Sequence, residues 1–332
     1  MRNRGFPLMH LYTPCLVSFA FGEQVIYALE VQYIPHLQHA RPHVARTEAT
    51  KAIETILTPH DVRTTLNYYA PLGDPNEAPY RYIYGTPPGK PDHNLGDDPR
   101  EVVVHDARGR EDEFSLDVHG FQFVRHVSAE KEFVDEEAIK GGYYKEVEDL
   151  LKKVTGGESV FIFDHTIRRH PEKDGTLPRN QQRGPVERVH IDQTYEASIK
   201  RVRQLLGADA DRLLQSRVRL INVWRPIANP VFHKPLAVGD WRSLDERADL
   251  VPVRYLYPDR EGATFSVRYN PAHRWWHLAQ QTPDEVTLIK CFDSETDRAR
   301  LTPHSAFWDR TSPSDAPHRQ SIEVRAFVFD AE

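Results

Sequence analysis

Along this chain, stretches in which apolar and polar residues alternate are interleaved with stretches in which apolar residues recur at helical spacing. Residues 44–57 place Ala45, Ala49, Ala52, Ile53, Ile56 and Leu57 on one helical face. Residues 144–154 form another such stretch, stopped by Gly156 and Gly157, and residues 195–206 a further one, ending at Gly207. Residues 66–69 are short, aromatic and strand-like, and a loop rich in Pro, Gly and Asp is expected from there to Arg100. Residues 102–105 and 114–118 then read as two strands joined by a turn at Gly109, with 120–127 continuing the sheet. Residues 159–164 are a strand, and a polar segment follows at 168–188. After the alternating residues 189–193, short apolar stretches lie at 217–224, 252–257, 264–269, 274–279, 285–292 and 321–329, separated by Pro and Gly. Many short strands with turn signals between them argue for a sandwich, barrel or jelly roll. The pattern predicts a mixed α/β N-terminal half packed on a C-terminal β-core.

Composition narrows the chemistry. Lys plus Arg is 43 and Asp plus Glu is 49, for a net charge of −6 over 332 residues. No basic stripe offers to neutralise phosphates, so a nucleic-acid partner is not expected. The apolar run at 6–21 follows Arg2 and Arg4, but Pro7, His10 and Pro14 interrupt it and no Ala-x-Ala site follows. It is also too short for a bilayer span, so an N-terminal extension is expected and no membrane association. Cys15 and Cys291 cannot build a disulfide framework or a thiolate zinc site, and a reducing compartment, the cytoplasm, is the expected location.

Histidine is abundant, at 17 residues, so chance motifs must be discounted. About two or three His-x-Asp/Glu triplets are expected by accident. Two occur, His170-Pro171-Glu172 and His190-Ile191-Asp192. The first lies among charges with a proline in its middle, as in a solvated loop. The second sits in Val189-His190-Ile191-Asp192, where alternation puts residues i and i+2 on one face of a strand. One imidazole nitrogen and one carboxylate oxygen can then converge on an ion, and a second histidine would complete a two-His-one-carboxylate face with open positions. The bland alternative is a hydrogen-bonded His/Asp pair at a strand end. Candidates for the second histidine are His304, set among apolar neighbours, and His273 and His277, which flank Trp275-Trp276; His233, in a Pro-bounded loop, is the weakest. Beyond His304 comes Arg319-Gln320-Ser321, whose guanidinium and hydroxyl can grip one carboxylate together. Glu323 and Arg325 share that face and read most simply as an ion pair.

The order of these residues carries more than any one of them. Thr65-Leu66-Asn67-Tyr68-Tyr69, Val189-His190-Ile191-Asp192-Gln193-Thr194, Asn222-Val223-Trp224-Arg225-Pro226-Ile227, Tyr269-Asn270-Pro271-Ala272-His273-Arg274-Trp275, Lys290-Cys291-Phe292-Asp293-Ser294, Pro303-His304 and Ser321-Ile322-Glu323-Val324-Arg325 follow one another. In this order they resemble the Fe(II)- and 2-oxoglutarate-dependent oxygenases. More narrowly, the chain is similar to the fungal hydroxylase/desaturase family that includes gibberellin desaturase, itself related to a bacterial protein of cephamycin 7-methoxylation. The likeness spans about residues 64 to 329.

The resemblance implies an α+β fold with a double-stranded β-helix (jelly-roll) core, an α/β N-terminal region and flanking helices. It implies residues 1–63 as an N-terminal extension and helix, and 64–332 as a single oxygenase domain with core strands mainly at 159–329. The family's iron ligands carry over to His190, Asp192 and His304. The residue holding 2-oxoglutarate carries over to Arg319, with Ser321 beside it and Arg325 as the alternative. Hydroxylation or desaturation of a small secondary metabolite with O2, releasing succinate and CO2, is the implied activity, and Asn67, Tyr68, Trp224 and Arg225 are candidate pocket residues. A non-catalytic jelly-roll ligand-binding protein and a metal-dependent hydrolase on the same His/Asp/His site are the alternatives, but neither accounts for Arg319-x-Ser321 after the distal histidine.

Overall fold

The computed structural model describes residues 60–74, 76–169 and 184–331. The helix expected at 44–57, the apolar run at 6–21 and the His170-Pro171-Glu172 motif lie outside them. The strands are β1 (Val62–Pro71), β2 (Tyr80–Tyr82), β3 (Leu95–Asp106), β4 (Phe121–Arg125), β5 (Ser159–Arg168), β6 (His190–Ile191) and β7 (Val218–Pro226). They continue with β8 (Leu236–Gly239), β9 (Leu250–Leu256), β10 (Glu261–Val267), β11 (Trp275–His277), β12 (Glu285–Asp293), β13 (His304–Ala306) and β14 (Ser321–Phe329). They form a nine-stranded sheet, β1-β3-β11-β8-β13-β6-β10-β9-β2, and a five-stranded sheet, β4-β12-β7-β14-β5. This is the α+β, jelly-roll architecture that the resemblance implies.

Strand β7 shows how alternation builds the core. Its Val218, Leu220 and Trp224 pack with Ile289, Phe327 and Phe329 of their own sheet and Val238 of the larger sheet. Its Ile221 and Val223 face the other way, onto Val324, Ala326 and Leu288 and onto Val147, Leu150 and Leu151 of the helix Tyr144–Thr155. With both faces covered, every residue of β7 is buried. The Tyr144–Thr155 helix ends where expected, at Gly156 in the left-handed region (φ 71°). The helix Tyr195–Leu206 also matches, and Thr194 caps it by accepting a hydrogen bond from the Ala197 amide (3.2 Å).

Several expected elements differ. Residues 114–118 are not a strand: a 3-10 turn, Glu111–Glu113, leads into a short helix, Leu116–His119. Phe114, Leu116 and Val118 satisfy alternation, but Val118 is exposed while Phe114 stacks on Phe121 and meets Phe123 edge-to-face across a chain reversal. The loop expected to reach Arg100 is interrupted by β2 and gives way to β3 at Leu95, whose charged residues pair along the whole of β1 and so hide the alternation. Strands β8 and β13 are too short to register as periodic. The strands of the N-terminal part form no layer of their own: β1, β2 and β3 join the larger sheet, β4 and β5 the smaller.

Candidate metal centre

His190 and His304 come together because β6 and β13 are antiparallel neighbours in which these two residues are directly paired. Their ring centroids lie 4.4 Å apart. Asp192 stands just past the end of β6, at a bend, and its Oδ1 is 3.4 Å from His190 Nε2 and 3.9 Å from His304 Nε2. Ligand atoms of the three residues lie within 4.8 Å of one another, the only such group of His, Cys, Asp and Glu among the described residues. His304 is buried, whereas His190 and Asp192 keep about a fifth of their side chains exposed (21% and 17%), so the cluster is open on one side.

The two rings are oriented by main-chain carbonyls. His190 Nδ1 is 2.8 Å from Arg188 O, and His304 Nδ1 is 3.0 Å from Thr302 O. A carbonyl only accepts, so Nδ1 carries the proton in each neutral ring and the Nε2 lone pair faces Asp192. Two nitrogen lone pairs and a carboxylate oxygen aimed at one point repel one another unless a cation lies between them. Imidazole and carboxylate together suit Fe(II), so the donor set fits the implied metal. The titration of the groups reflects the crowding. Burial lowers the pKa of His190, but Asp192 more than reverses this and it is raised overall. Burial and His190 together lower that of His304. Burial favours the neutral acid of Asp192, but His190, Arg325 and His304 hold its carboxyl well below the usual range.

The second oxygen of Asp192 is held from the opposite sheet. Asn222 Nδ2 of β7 donates to Oδ2 at 2.6 Å and Arg325 Nε of β14 lies 3.3 Å from it. Arg325 is further engaged by Asp164 Oδ1 (3.0 Å), Thr166 Oγ1 (3.1 Å) and Glu323 Oε1 (2.6 Å). The expected Glu323–Arg325 ion pair is thus present, within a larger network. Arg319 is different. It is buried over the Trp224 ring (5.4 Å), donates through Nη1 to Lys234 O (2.7 Å), and its buried Nε has no acceptor. Burial pushes its pKa down to about 9. Ser321, two residues on, is buried where β14 runs between Arg168 of β5 and Pro226 of β7.

The other candidates are distributed unevenly. Trp224 lies under Arg319, and Asn67 O accepts from the Val189 amide (2.9 Å), beside His190. Tyr68 and Arg225 are engaged in the interior. The Tyr68 hydroxyl accepts from Trp275 Nε1 (2.8 Å) and lies 3.3 Å from His273 Nδ1. Arg225 reaches Tyr143 Oη (3.1 Å), His126 O (2.8 Å), His126 Nδ1 (2.6 Å) and Pro283 O (2.5 Å). His273 pairs with Asp249 (3.0 Å), His277 packs on Phe307, and His233 lies against Trp308; none of the three joins the metal-ligand cluster. Sequence reasoning passed over Asn222, although it opens one of the motifs above, because its contact with Asp192 crosses between sheets.

The chain is similar to several known proteins. Residues 66–329 match a family described as "YDMC: Oxidoreductase/YMDC permease-like domain". Among the described residues no helix is long and apolar enough to cross a membrane. The chain is 37% identical over 289 residues to the hydroxylase/desaturase efuI of Hormonema carpetanum, covering 81% of this chain and 95% of that protein. It is 37% identical over 256 residues to the Fe(II)/2-oxoglutarate-dependent dioxygenase nvfI of Aspergillus novofumigatus, covering 75% and 90%. A solved structure of the iron and alpha-ketoglutarate-dependent endoperoxidase NvfI superposes with a TM-score of 0.71 at 32% identity, over 82% of this chain and 99% of that one.

Proposed function

The chain belongs to the family of Fe(II)/2-oxoglutarate-dependent dioxygenases and hydroxylase/desaturases of fungal secondary metabolism, and from that premise we propose how its residues divide the work. The activity is oxidation, by hydroxylation or desaturation, of a small-molecule secondary metabolite. Fe(II) and 2-oxoglutarate, when bound, supply the oxidising chemistry with O2 and yield succinate and CO2. His190 and His304 offer Nε2, and Asp192 offers Oδ1, as the metal ligands. The observation that carries this assignment is the convergence of those atoms, with both Nδ1 positions occupied by carbonyls.

Arg319 is assigned to the distal carboxylate of 2-oxoglutarate, with Ser321 beside it. Its buried Nε without an acceptor is a donor waiting for an anion, whereas Arg325 is already surrounded by Asp192, Asp164 and Glu323. Trp224, beneath the guanidinium, and Asn67, beside the His190 strand, are assigned to the pocket wall on the strength of those contacts. Residues 64–332 are taken as one oxygenase domain. A cytoplasmic location is part of the same proposal; the free, buried thiol of Cys291 suits a reducing compartment.

The deciding experiment is anaerobic Fe(II) titration followed by succinate release on admitting O2. Asp192→Ala and His304→Ala are expected to lose tight Fe(II) binding and succinate formation, and wild-type behaviour in either removes it from the ligand set. Arg319→Ala retains Fe(II) but raises the 2-oxoglutarate requirement about 10- to 100-fold, the worth of a charge-assisted hydrogen-bonded pair. An unchanged requirement would transfer the role to Arg325.

A further inference from the structure

The carboxylate of Asp192 is treated asymmetrically by the fold. Its Oδ1 faces the two imidazoles, while Oδ2 is turned to the opposite sheet, where Asn222 Nδ2 (2.6 Å) and Arg325 Nε (3.3 Å) meet it. We propose that Asn222 and Arg325 are positioning residues that lock Asp192 into one-oxygen ligation, a role that presupposes Asp192 as a metal ligand. A carboxylate binds a metal through one oxygen or through both. With three one-atom ligands, an octahedral ion keeps three positions open; a two-oxygen aspartate leaves two. A chelating 2-oxo acid and O2 together need three.

Both donors are themselves constrained. Arg325 cannot swing away from Oδ2 without breaking its bonds to Asp164, Thr166 and Glu323, made through its other two nitrogens. The planar fork of arginine fixes the direction of Nε once those are made. Asn222 offers a different argument. Its Oδ1 is buried with no hydrogen-bond partner, a cost the interior does not accept without return. A carboxylate only accepts, so the amide nitrogen must be the end that faces Asp192. A leucine would fill the same space with no orphaned oxygen, so packing alone does not call for asparagine. The two donors come from neighbouring strands of the smaller sheet, where Asn222 and Arg325 are register partners. The clamp is therefore a single cross-strand pair reaching over to the sheet that carries the histidines.

The test uses the full chain loaded with Mn(II), and reads inner-sphere water number by water-proton relaxation, and 2-oxoglutarate affinity by titration. Asn222→Leu is expected to fold, to bind Mn(II), to lose one metal-bound water and to weaken 2-oxoglutarate binding about tenfold, as loss of a ligand-orienting hydrogen bond does. Arg325→Lys, which keeps the charge but not the fork, is expected to move both readings the same way. An unchanged water number and unchanged 2-oxoglutarate affinity in Asn222→Leu would overturn the proposal, whatever happens to thermal stability. Complete loss of Mn(II) would overturn it too, because Asn222 would then hold Asp192 in place rather than set its mode of binding. If Asn222→Leu does not fold, the same two readings on Asn222→Ala decide. Failure of the ligand assignment itself looks different: the unsubstituted protein takes up no Mn(II), or His304→Ala takes it up unchanged.

Discussion

Arg225 and Arg319 are both buried guanidiniums, and what surrounds each separates a structural role from a binding one. Arg225 is surrounded by Tyr143 Oη, two carbonyls and a ring nitrogen, and stacks over the Tyr143 ring at 5.5 Å. Arg319 has one carbonyl and an N–H with nothing to donate to. Arg225→Ala would strand several buried acceptors, at a cost of about 2–4 kcal/mol. Urea unfolding is expected to show that loss, while the 2-oxoglutarate requirement of the folded fraction stays at the wild-type value. In sequence the two arginines look alike, each one residue or two from a strand end, and composition cannot rank them. What ranks them is the inventory of acceptors, which belongs to the folded neighbourhood.

At the scale of elements, the site depends on pieces that barely qualify as secondary structure. Strand β13 is only His304–Ala306, and the segment that leads to it is braced by the turn at Gly120. Gly120 has φ 86°, and a Cβ there would come within 2.4 Å of Thr302 Oγ1 and 2.8 Å of Leu301 O. Its carbonyl accepts hydrogen bonds from the Lys290 amide (2.8 Å) and from Thr302 Oγ1. The carbonyl of Thr302 in turn orients His304. Gly120→Ala is therefore expected to cost about 1–2 kcal/mol for the left-handed backbone alone. It should also displace Thr302 and weaken Fe(II) binding, measurable by anaerobic titration, although residue 120 touches no metal ligand. The long helices and the strand Ser321–Phe329 are legible from periodicity because each repeats its pattern over several turns or pleats. A three-residue strand has no period to read.

For the whole molecule, ion pairs tie distant segments together and make stability sensitive to acid. Burial raises the pKa of Asp117, but Arg217 and Lys290 overcome it and leave the carboxyl well below its usual range. Glu285 beside Arg108, Asp240 beside Arg242 and Asp309 beside His60 are likewise lowered against the opposing effect of burial. A carboxyl with a folded pKa below its unfolded value of about 4 contributes stability that is present above that pH and lost as pH falls through the folded value. Tm measured by calorimetry is expected to fall between about pH 7 and 5, where the unfolded chain protonates histidines whose pKa burial lowers in the fold, such as His119, His126 and His273, and to fall further below about pH 4. Asp117→Asn should lower Tm at neutral pH and make the acid limb shallower; an acid limb identical to that of the unsubstituted protein would show that this carboxylate is not part of it.

What the sequence by itself determined is whatever near neighbours encode: the helices at Tyr144–Thr155 and Tyr195–Leu206, most of the longer strands, and the placing of His190 two residues before Asp192. Spacing of that kind is a property of a few consecutive dihedral angles, so it survives reading one residue at a time. Tertiary structure alone decided that His304 is the histidine registered against His190, that Arg325 rather than Arg319 is bound by protein carboxylates, and that Asn222 crosses between sheets to Asp192. Those contacts join strands far apart in the chain, and their partners follow from sheet order and register, which no local pattern specifies.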